Sequence, residues 1–468
     1  MSLFTTAFEP PSPRLAPAED DTADNSAKNS LASGPAVADS AVDLSSDDEN
    51  DKDLAGLMQN IGLYPKIDFT SYLPNELLPK IFLYLDERSL ISCMQVNKAW
   101  NSVASSNTVW RNMFRRYWQR CAITRNMPPN TNWRMVNKTR YELELRWRKG
   151  MCTTKVLKGH SDGVYCVQFD DDKIITGSRD RTIRVWDMNT LETIRILQRE
   201  IPPRNTPEDE IKSYYDISGH QGSVLCLQYD SKILVTGSSD HSIIIWSIPD
   251  YKPIHLSRHH VAEVLDVSFD DKYITTCSKD GNICILDRRD PQFALLRTIP
   301  ASRGTVNSLH LKRGIIASAG VDSVVRIWHA ETGKRIMSFH GHDRGLACVQ
   351  ISSDKKYVVS GGNDNKIRIW DLKGKRPLAI LEGHESLVRS LHINGRKIIS
   401  GSYDQSIKVW DFDLSAPLLD LKGFHSSWVF AAKADCKRIV STSYSSDVVL
   451  FDFTDGLDAT YLPYFRSP

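Results

Sequence analysis

The sequence has no run of eighteen apolar residues, no Cys-x-x-Cys pair, and no basic start followed by an apolar stretch. The first absence argues against a transmembrane helix, and the last indicates that MSLFTTAFEPPSPRLAPAEDD is not a secretory signal. The nine cysteines are odd in number, and most of them lie inside apolar runs, where a thiol behaves as a small hydrophobe. We therefore expect a reducing compartment, cytoplasm or nucleus, with no disulfide framework, no metal site and no cofactor.

Charge is distributed very unevenly along the chain although the net charge is only +2. Residues 1–55 hold twelve acidic and three basic residues and few large apolar groups. Such a segment cannot bury enough surface to offset the entropy of ordering, so we predict a disordered acidic tail. Residues 108–150 hold eleven basic and two acidic residues, and this block matters more for partners than the average charge does.

Apolar residues at spacings of three and four begin near residue 69 and predict a bundle of short helices. The first helix is expected to have Pro74 in its first turn and to carry apolar residues from Leu77 to Leu85; a second is expected from Leu90 to Val96, and a third around Trp100 and Trp110. A bundle this small has more apolar surface than it can hide alone, so part of that surface should face a partner.

The stretches LPNELLPKIFLYLDERSL and CMQVNKAWNSVASSNTVWRNMF together resemble the F-box from end to end, over residues 69–115. The resemblance implies docking onto a Skp-type adaptor and, through it, a cullin-RING ubiquitin ligase. The residues at the family's apolar, adaptor-binding positions are Leu73, Pro74, Leu77, Ile81, Leu85, Leu90, Val96, Trp100 and Trp110. Some of them must also form the core of the bundle itself.

Residues 116–150 are basic and rich in tryptophan, and 138–149 suits a helix that Gly150 would end. We interpret this segment as a rigid helical linker whose charges are solvated. A nucleic-acid-binding surface is the alternative that the basic and aromatic composition leaves open.

Residues 151–455 contain seven imperfect copies of one pattern, in which a Gly-His position recurs at intervals of 60, 40, 42, 40, 42 and 41 residues. That period predicts a mainly β fold, a seven-bladed WD40 β-propeller. His, Asp and Trp recur in phase and can satisfy one another by hydrogen bonds, so we assign them to the scaffold and not to catalysis. These residues include His160, His220, His342, His384, Asp180, Asp240, Asp364, Asp404, Trp186, Trp246, Trp370 and Trp410.

Three copies depart from the pattern: Leu286 and Phe451 replace the tryptophan, Ser302 replaces a histidine, and Ser445 replaces an aspartate. We expect an incomplete network in those blades. Since the last copy lacks a fourth strand, TTKVL before the first Gly-His should complete it and remove the exposed edges. The long first interval predicts a surface insert, and residues 456–468 a C-terminal tail.

Positions flanking the repeated valine and preceding the turn aspartate should line one mouth of the propeller channel. Four cations fall there, namely Arg179, Lys279, Arg344 and Arg389, with only Glu263 opposing them. Arginine and hydroxyl donors that converge on one concave surface suit a phosphate, because charge-assisted bidentate bonds are strong.

The blade sequences, among them GVYCVQFDDDKIITGSRDRTIRVWDMNTLE and LEGHESLVRS, resemble the beta-TrCP (Slimb) group of F-box/WD proteins. That group recognises a doubly phosphorylated Asp-Ser-Gly-x-x-Ser degron. Where the group has HSGRVFRLQ this chain has HSSWVFAAK, so that Trp428 replaces a phosphate-contacting arginine. By motif match, the degron-binding residues are Tyr165, Arg179, Ser223, Ser239, Lys279, Asn307, Arg344, Gly345, Ala347, Arg389 and Tyr403.

The sequence therefore predicts a non-catalytic substrate receptor of a Skp/cullin/F-box ubiquitin ligase, which binds phosphorylated proteins and directs them to degradation. The residues show no catalytic constellation, and we expect neither membrane nor nucleic acid among its partners. Two other interpretations stay open: a scaffold propeller without ubiquitination, and a nucleic-acid-associated propeller that uses the basic linker.

Overall fold

A computed structural model describes residues 73–74, 77–118, 122–123, 127–199, 219–248 and 250–466. All of them belong to one compact unit, Thr70–Pro468. The predicted acidic tail, residues 1–55, and nearly all of the insert in the first long interval lie outside the described residues. Within the described residues, every helix is too short or too polar to cross a membrane.

The described part of the N-terminal bundle contains four short helices, and side-chain caps set where three of them begin. The helices are α1 (Leu78–Phe82), α2 (Glu87–Cys93), α3 (Lys98–Ala104) and α4 (Asn107–Tyr117). Asp86, Asn97 and Ser106 each accept a hydrogen bond from the backbone N–H three residues on, which satisfies a donor that a helix start leaves open. Because Ser106 has extended backbone and caps α4, the single helix expected around Trp100 and Trp110 is two helices.

Seven four-stranded antiparallel sheets follow, so the prediction of a seven-bladed propeller is confirmed. Six of them are built from consecutive strands: β3–β6 (Val164–Phe169, Lys173–Ser178, Ile183–Asp187, Thr193–Leu197), β7–β10 (Val224–Tyr229, Ile233–Ser238, Ile243–Ser247, Pro253–Ser257), β11–β14 (Val264–Phe269, Tyr273–Ser278, Asn282–Asp287, Leu295–Pro300), β15–β18 (Val306–Lys312, Ile315–Gly320, Val325–His329, Arg335–Phe339), β19–β22 (Leu346–Ile351, Tyr357–Gly362, Ile367–Asp371, Arg376–Leu381) and β23–β26 (Val388–Asn394, Lys397–Ser402, Ile407–Asp411, Ala416–Leu421). We number these sheets blade one to blade six in chain order.

Blade seven closes the ring with strands from both ends of the propeller sequence. It consists of β27 (Val429–Ala434), β28 (Arg438–Ser443), β29 (Val448–Asp452) and β2 (Thr153–Leu157). Strand β2 pairs with β29 from Thr153 opposite Asp452 to Leu157 opposite Val448, as the sequence predicted. The last blade thereby ties the start of the propeller to its end, and the edge of β29 is paired.

The recurring histidines, aspartates and tryptophans form a hydrogen-bonded network inside each complete blade. In blade one, the Nδ1 of His160 lies 2.8 Å from the carboxylate of Asp180, and its Nε2 lies 2.8 Å from the hydroxyl of Thr176. The indole N–H of Trp186 donates to that same hydroxyl at 2.9 Å. The hydroxyl is the fourth member of the network, and the sequence reading missed it although Thr or Ser recurs there in phase.

Blade seven shows what happens when the aspartate is missing. His425 is buried, its Nε2 lies 2.7 Å from Ser441 Oγ, and its Nδ1 has no hydrogen-bond partner in the described structure. Burial lowers the pKa of His425 to about 4, because protonation would place an uncompensated charge in the interior.

The fold should therefore lose stability in acid through His425. The unfolded chain takes up this proton near the ordinary histidine pKa of about 6.5, and the folded protein only near pH 4. Between those values, the free energy of unfolding should fall by about 1.4 kcal/mol for each pH unit through this residue alone. His425→Gln should flatten the decline of the melting midpoint between pH 6.5 and pH 4. Parallel curves for variant and wild type would contradict the assignment.

Side chains on the innermost strands also tie neighbouring blades together. The amide of Gln168 donates to Tyr229 O at 2.9 Å and accepts from Tyr229 N at 2.8 Å. Two of the cysteines expected to act only as small hydrophobes, Cys226 and Cys348, also place Sγ 3.9 and 3.3 Å from carbonyl oxygens of the next blade. All eight cysteines that the structure describes are free thiols.

The predicted linker is fused to the propeller by helix α5 (Trp133–Lys149), which ends at left-handed Gly150 as expected. Trp147 stacks on Phe453 at 4.0 Å between ring centroids, and its indole N–H donates to Cys436 O at 3.1 Å. The expectation that the linker charges are solvated is wrong for Arg140, which is buried and lies over the rings of Trp118 and Phe465.

The C-terminal segment predicted as a tail takes part in this interface. A short 3₁₀ helix, Leu462–Tyr464, leads into β30 (Phe465–Arg466), which pairs with β1 (Ala122–Ile123) in the linker. Leu462 and Phe465 belong to one apolar core that also contains residues of α4, α5 and blades six and seven. The bundle, the linker and the propeller are therefore joined through continuous buried packing.

Candidate functional site

An exposed apolar face remains on the N-terminal bundle. Leu77 and Ile81, four residues apart at the start of α1 and within it, are each 41% exposed, and Val96 is 59% exposed. Side chains four apart share a face of a helix. Pro74 is exposed as well, while Leu73, Leu85 and Trp100 are half-buried. These predicted adaptor residues offer surface to a partner.

Leu90 and Trp110 do not belong to this face, and their assignment as adaptor contacts is corrected. Both are fully buried within the chain, and the indole N–H of Trp110 donates to Ala104 O at 2.8 Å inside the bundle. Their apolar spacing in the sequence is the same as that of the exposed residues. Packing alone decides which apolar residues remain accessible.

The propeller encloses a central channel with a cavity volume of about 850 Å³. Tyr165, Arg389 and Phe430, near the starts of the innermost strands of blades one, six and seven, line one end, which we call the mouth. Asp171, Lys437 and Arg466 line the other end, where the C-terminal segment packs. The mouth therefore opens on the face opposite to the linker.

Two of the four predicted cations at the mouth are neutralised by carboxylates of their own blades. Lys279 pairs with Glu263 at 3.2 Å, as the sequence suggested. Arg179 pairs with Asp162 at 3.6 Å, and this carboxylate raises the pKa of Arg179. The prediction that Glu263 alone opposes the cations is therefore wrong. Asp162 lies two residues after a repeated histidine, and its phase is the signal that could have identified it.

Arg344 and Arg389 form no ion pair within the described residues. Arg344 is exposed on blade five, and Arg389 is half-buried on blade six. Burial raises the pKa of the Tyr403 hydroxyl, and the charge of Arg389, which also hydrogen-bonds this hydroxyl, acts in the opposite direction. Of the four predicted mouth cations, the two without a carboxylate partner in the described structure therefore lie on adjacent blades.

Several of the other predicted degron-binding residues make contacts within the propeller. Ser239 Oγ accepts a hydrogen bond from Ser223 N at 2.8 Å, and Asn307 Nδ2 donates to Leu346 O at 2.6 Å. Ala347 is buried, so it has little surface for a ligand. A Cβ on Gly345 would lie 3.0 Å from the carbonyl oxygen of Val321, which indicates that the glycine permits close packing of blade five on blade four.

Aromatic rings occupy the mouth on the side of blades six, seven and one. Tyr403 and Trp428 stack at 4.7 Å with an angle of 8° between their planes. Tyr444 lies 5.9 Å from Trp428, and its hydroxyl accepts a hydrogen bond from Arg179 at 3.3 Å. Tyr165 and Phe430 are 4.8 Å apart. We call these five aromatic residues the aromatic wall; they come from blades one, six and seven, and only the packing of adjacent blades brings their rings together.

Among the described residues, no group of three or more His, Cys, Asp or Glu side chains is placed to hold a metal ion. At the mouth, the channel is lined by Tyr165, Arg389 and Phe430, together with the aliphatic side chains of Leu225 and Leu265. This chemistry binds anions and flat or apolar side chains.

Comparison with protein families identifies the domains on either side of the linker. An F-box-like model matches residues 70–116, and a model of the WD domain, G-beta repeat, matches 151–187 and 211–247. A model called WDR54 matches 261–417. The F-box and WD-repeat architecture predicted from the sequence is thereby confirmed.

Curated relatives match this chain over most of its length. The chain is 26% identical over 413 residues to the probable E3 ubiquitin ligase complex SCF subunit sconB of Arthroderma otae. The match covers 63% of this chain and 61% of that protein. The chain is 28% identical over 398 residues to an F-box protein of Saccharomyces cerevisiae, with the same two coverages. The chain thus spans less than two thirds of the length of these relatives. Neither of them is named as beta-TrCP, so the finer grouping stays a prediction.

Among solved structures, the WD40 β-propeller domain of Doa1 matches this chain with a TM-score of 0.54 and 21% sequence identity. The match covers 64% of this chain and 95% of the Doa1 domain. This likeness concerns the propeller fold.

Proposed function

We propose that this chain, an F-box and WD-repeat protein, is the substrate-recognition subunit of a Skp/cullin/F-box ubiquitin ligase. The observation that carries the proposal is one compact unit that joins an exposed apolar bundle face to a propeller mouth, where two arginines form no ion pair within the described residues. The relatives that match 63% of this chain are named as an SCF subunit and as an F-box protein.

In this proposal the bundle face binds the Skp-type adaptor, and the mouth binds a phosphorylated segment of the substrate. Arg344 and Arg389 supply charge-assisted hydrogen bonds to the phosphate, and the hydroxyls of Ser223 and Tyr403 add polar contacts. The chain itself catalyses no reaction. It holds a substrate lysine near a charged ubiquitin-conjugating enzyme, so that transfer becomes effectively intramolecular.

The buried packing between linker and propeller supports this mechanism. Trp147, Phe453 and Phe465 lie in the same core as residues of α4, so the adaptor face and the phosphate site are held at a fixed separation. A flexible connection would dilute the effective concentration of the substrate lysine. The free thiols agree with action in the cytoplasm or nucleus, which we propose as the compartment.

The structure gives less support to nucleic acid as a partner. Arg140 is buried, Arg148 pairs with Glu144 at 3.8 Å, and Arg146 hydrogen-bonds Asp455 O. Three cations of the basic linker are thus engaged within the protein, and we retain the ligase subunit as the proposal.

A reconstituted ligase tests the proposed role as substrate-recognition subunit. The full chain is combined with a Skp-type adaptor, cullin, RING protein, ubiquitin-activating and ubiquitin-conjugating enzymes, and a substrate that carries a phosphorylated or an unphosphorylated segment. We expect ubiquitin transfer that requires this chain and the phosphate. Equal transfer to both substrates would overturn recognition through phosphate, and adaptor and chain that elute separately would overturn the assignment as a ligase subunit.

A further inference from the structure

The mouth of the propeller is divided into two sectors of different chemistry. The basic sector holds Arg344 and Arg389, the two mouth arginines that form no ion pair within the described residues. The aromatic wall occupies the neighbouring sector. Arg179, which lies against the wall, is already engaged by Asp162 and Tyr444. The free charge therefore suits one phosphate group, bound on the side of blades five and six.

Trp428 makes the second sector a poor site for a phosphate. Its ring stacks on Tyr403 and lies 5.9 Å from Tyr444, so an anion there would lose water and meet only Arg179, whose charge Asp162 already opposes. Losing hydration without a compensating partner is costly for a charged group. An apolar side chain at the same place would instead bury its surface against three rings, at about 25 cal/mol for each Å² of apolar area.

The two sectors are connected through Tyr403. Its hydroxyl hydrogen-bonds Arg389, and its ring stacks on Trp428 with 4.7 Å between the centroids. This chain of contacts separates the guanidinium from the tryptophan by roughly two or three residues of extended peptide, at about 3.3 Å for each residue. One short peptide can therefore reach both sectors at once.

We infer that the mouth is built for a singly phosphorylated peptide that carries a large apolar or aromatic side chain about two or three residues from its phosphoserine or phosphothreonine. The inference rests on the proposed binding of phosphorylated substrates and adds their class. Arg344 and Arg389 bind the phosphate, and Trp428, Tyr403 and Tyr444 receive the apolar side chain. A second phosphate at that position weakens binding.

A set of labelled peptides tests this with the full chain by fluorescence anisotropy. All peptides share one phosphoserine at a fixed position. At each neighbouring position in turn, one peptide carries Phe, one carries Ala and one carries a second phosphoserine. We expect Phe at one position to bind about tenfold more tightly than Ala, which corresponds to about 1.4 kcal/mol. At that position, the second phosphoserine should bind more weakly than Ala.

Two substitutions of the same residue separate the sectors. Trp428→Ala should remove the preference for Phe while the requirement for the first phosphate persists. Trp428→Arg should reverse the order, so that the doubly phosphorylated peptide binds more tightly than the Phe peptide. Thermal melting of both variants verifies that the propeller is folded, and Trp428→Phe keeps a ring and should keep most of the preference.

The possible outcomes separate this inference from the proposed recognition of phosphorylated substrates. If the wild type binds the doubly phosphorylated peptides best, the inference is wrong and phosphate recognition stands. If Phe and Ala bind equally at every position, the inference is again wrong. If phosphorylation has no effect on binding, the proposed recognition of phosphorylated substrates fails, and this inference fails with it.

Discussion

Replacing Arg344 and Arg389 together by glutamate is expected to weaken phosphopeptide binding by at least about 100-fold, which corresponds to about 2.7 kcal/mol. Both guanidinium groups are free of ion pairs within the described residues, so their charge is available to a ligand. Charge-assisted contacts of this kind are worth about twice as much as neutral hydrogen bonds. The two substitutions also place like charges beside the phosphate.

Fluorescence anisotropy with the full chain measures this loss, and Arg335→Glu provides the matched control. Arg335 is exposed on β18, the outermost strand of blade four, so it undergoes the same change of charge far from the mouth. The control should bind phosphopeptide like the wild type, and both proteins should still bind the adaptor. A double variant that retains its affinity would remove the two arginines from the site.

Arg179→Ala should weaken phosphopeptide binding less than glutamate does at Arg344 or at Arg389. Its guanidinium already pairs with Asp162 and donates to Tyr444, so less of its charge reaches a ligand. This ranking was invisible in the sequence, where all four mouth cations look alike.

The second large effect is expected at the bundle: Leu77→Asp with Ile81→Asp should abolish binding to a Skp-type adaptor. Each side chain is 41% exposed, so it gives the adaptor an apolar surface without being the centre of the bundle's own core. Carboxylates at these positions would have to lose their hydration on docking without a partner. The propeller and its mouth should be unaffected.

Co-purification of chain and adaptor measures the loss. Ile336→Asp with Ile380→Asp is the matched control, because these rim residues of blades four and five have similar exposures, 46% and 45%. The control should co-purify with the adaptor, and both double variants should bind phosphopeptide. If the bundle variant also co-purifies, the adaptor face lies elsewhere.

Much of the fold could be predicted because each repeat specifies its own blade through residues that are close together in the sequence. A period near 40 residues, alternation of apolar and polar positions, and His, Asp and Trp in phase together specify seven similar sheets. The contacts of His160 with Asp180 and Thr176 form within one blade, and so their partners are a fixed number of residues apart. Closure by β2 followed from counting strands.

The candidate site was predicted less completely, because its decisive contacts lie between positions that no spacing relates. Leu90 and Leu77 have the same apolar character, but the first is core and the second is surface. Spacing also could not show that Arg140 would be buried beneath Trp118 and Phe465. Partners from distant segments depend on how helices and blades are oriented.

The sequence by itself determined the modules of this protein and their order, because hydrogen-bonding patterns and hydrophobic periods are local properties of the chain. Only the tertiary structure decided which of the mouth cations are free and that Tyr403 stacks on Trp428. Ion pairs and ring contacts form where side chains of different loops and blades meet. Their geometry is set by the packing of whole blades, which the spacing of residues along the chain does not encode.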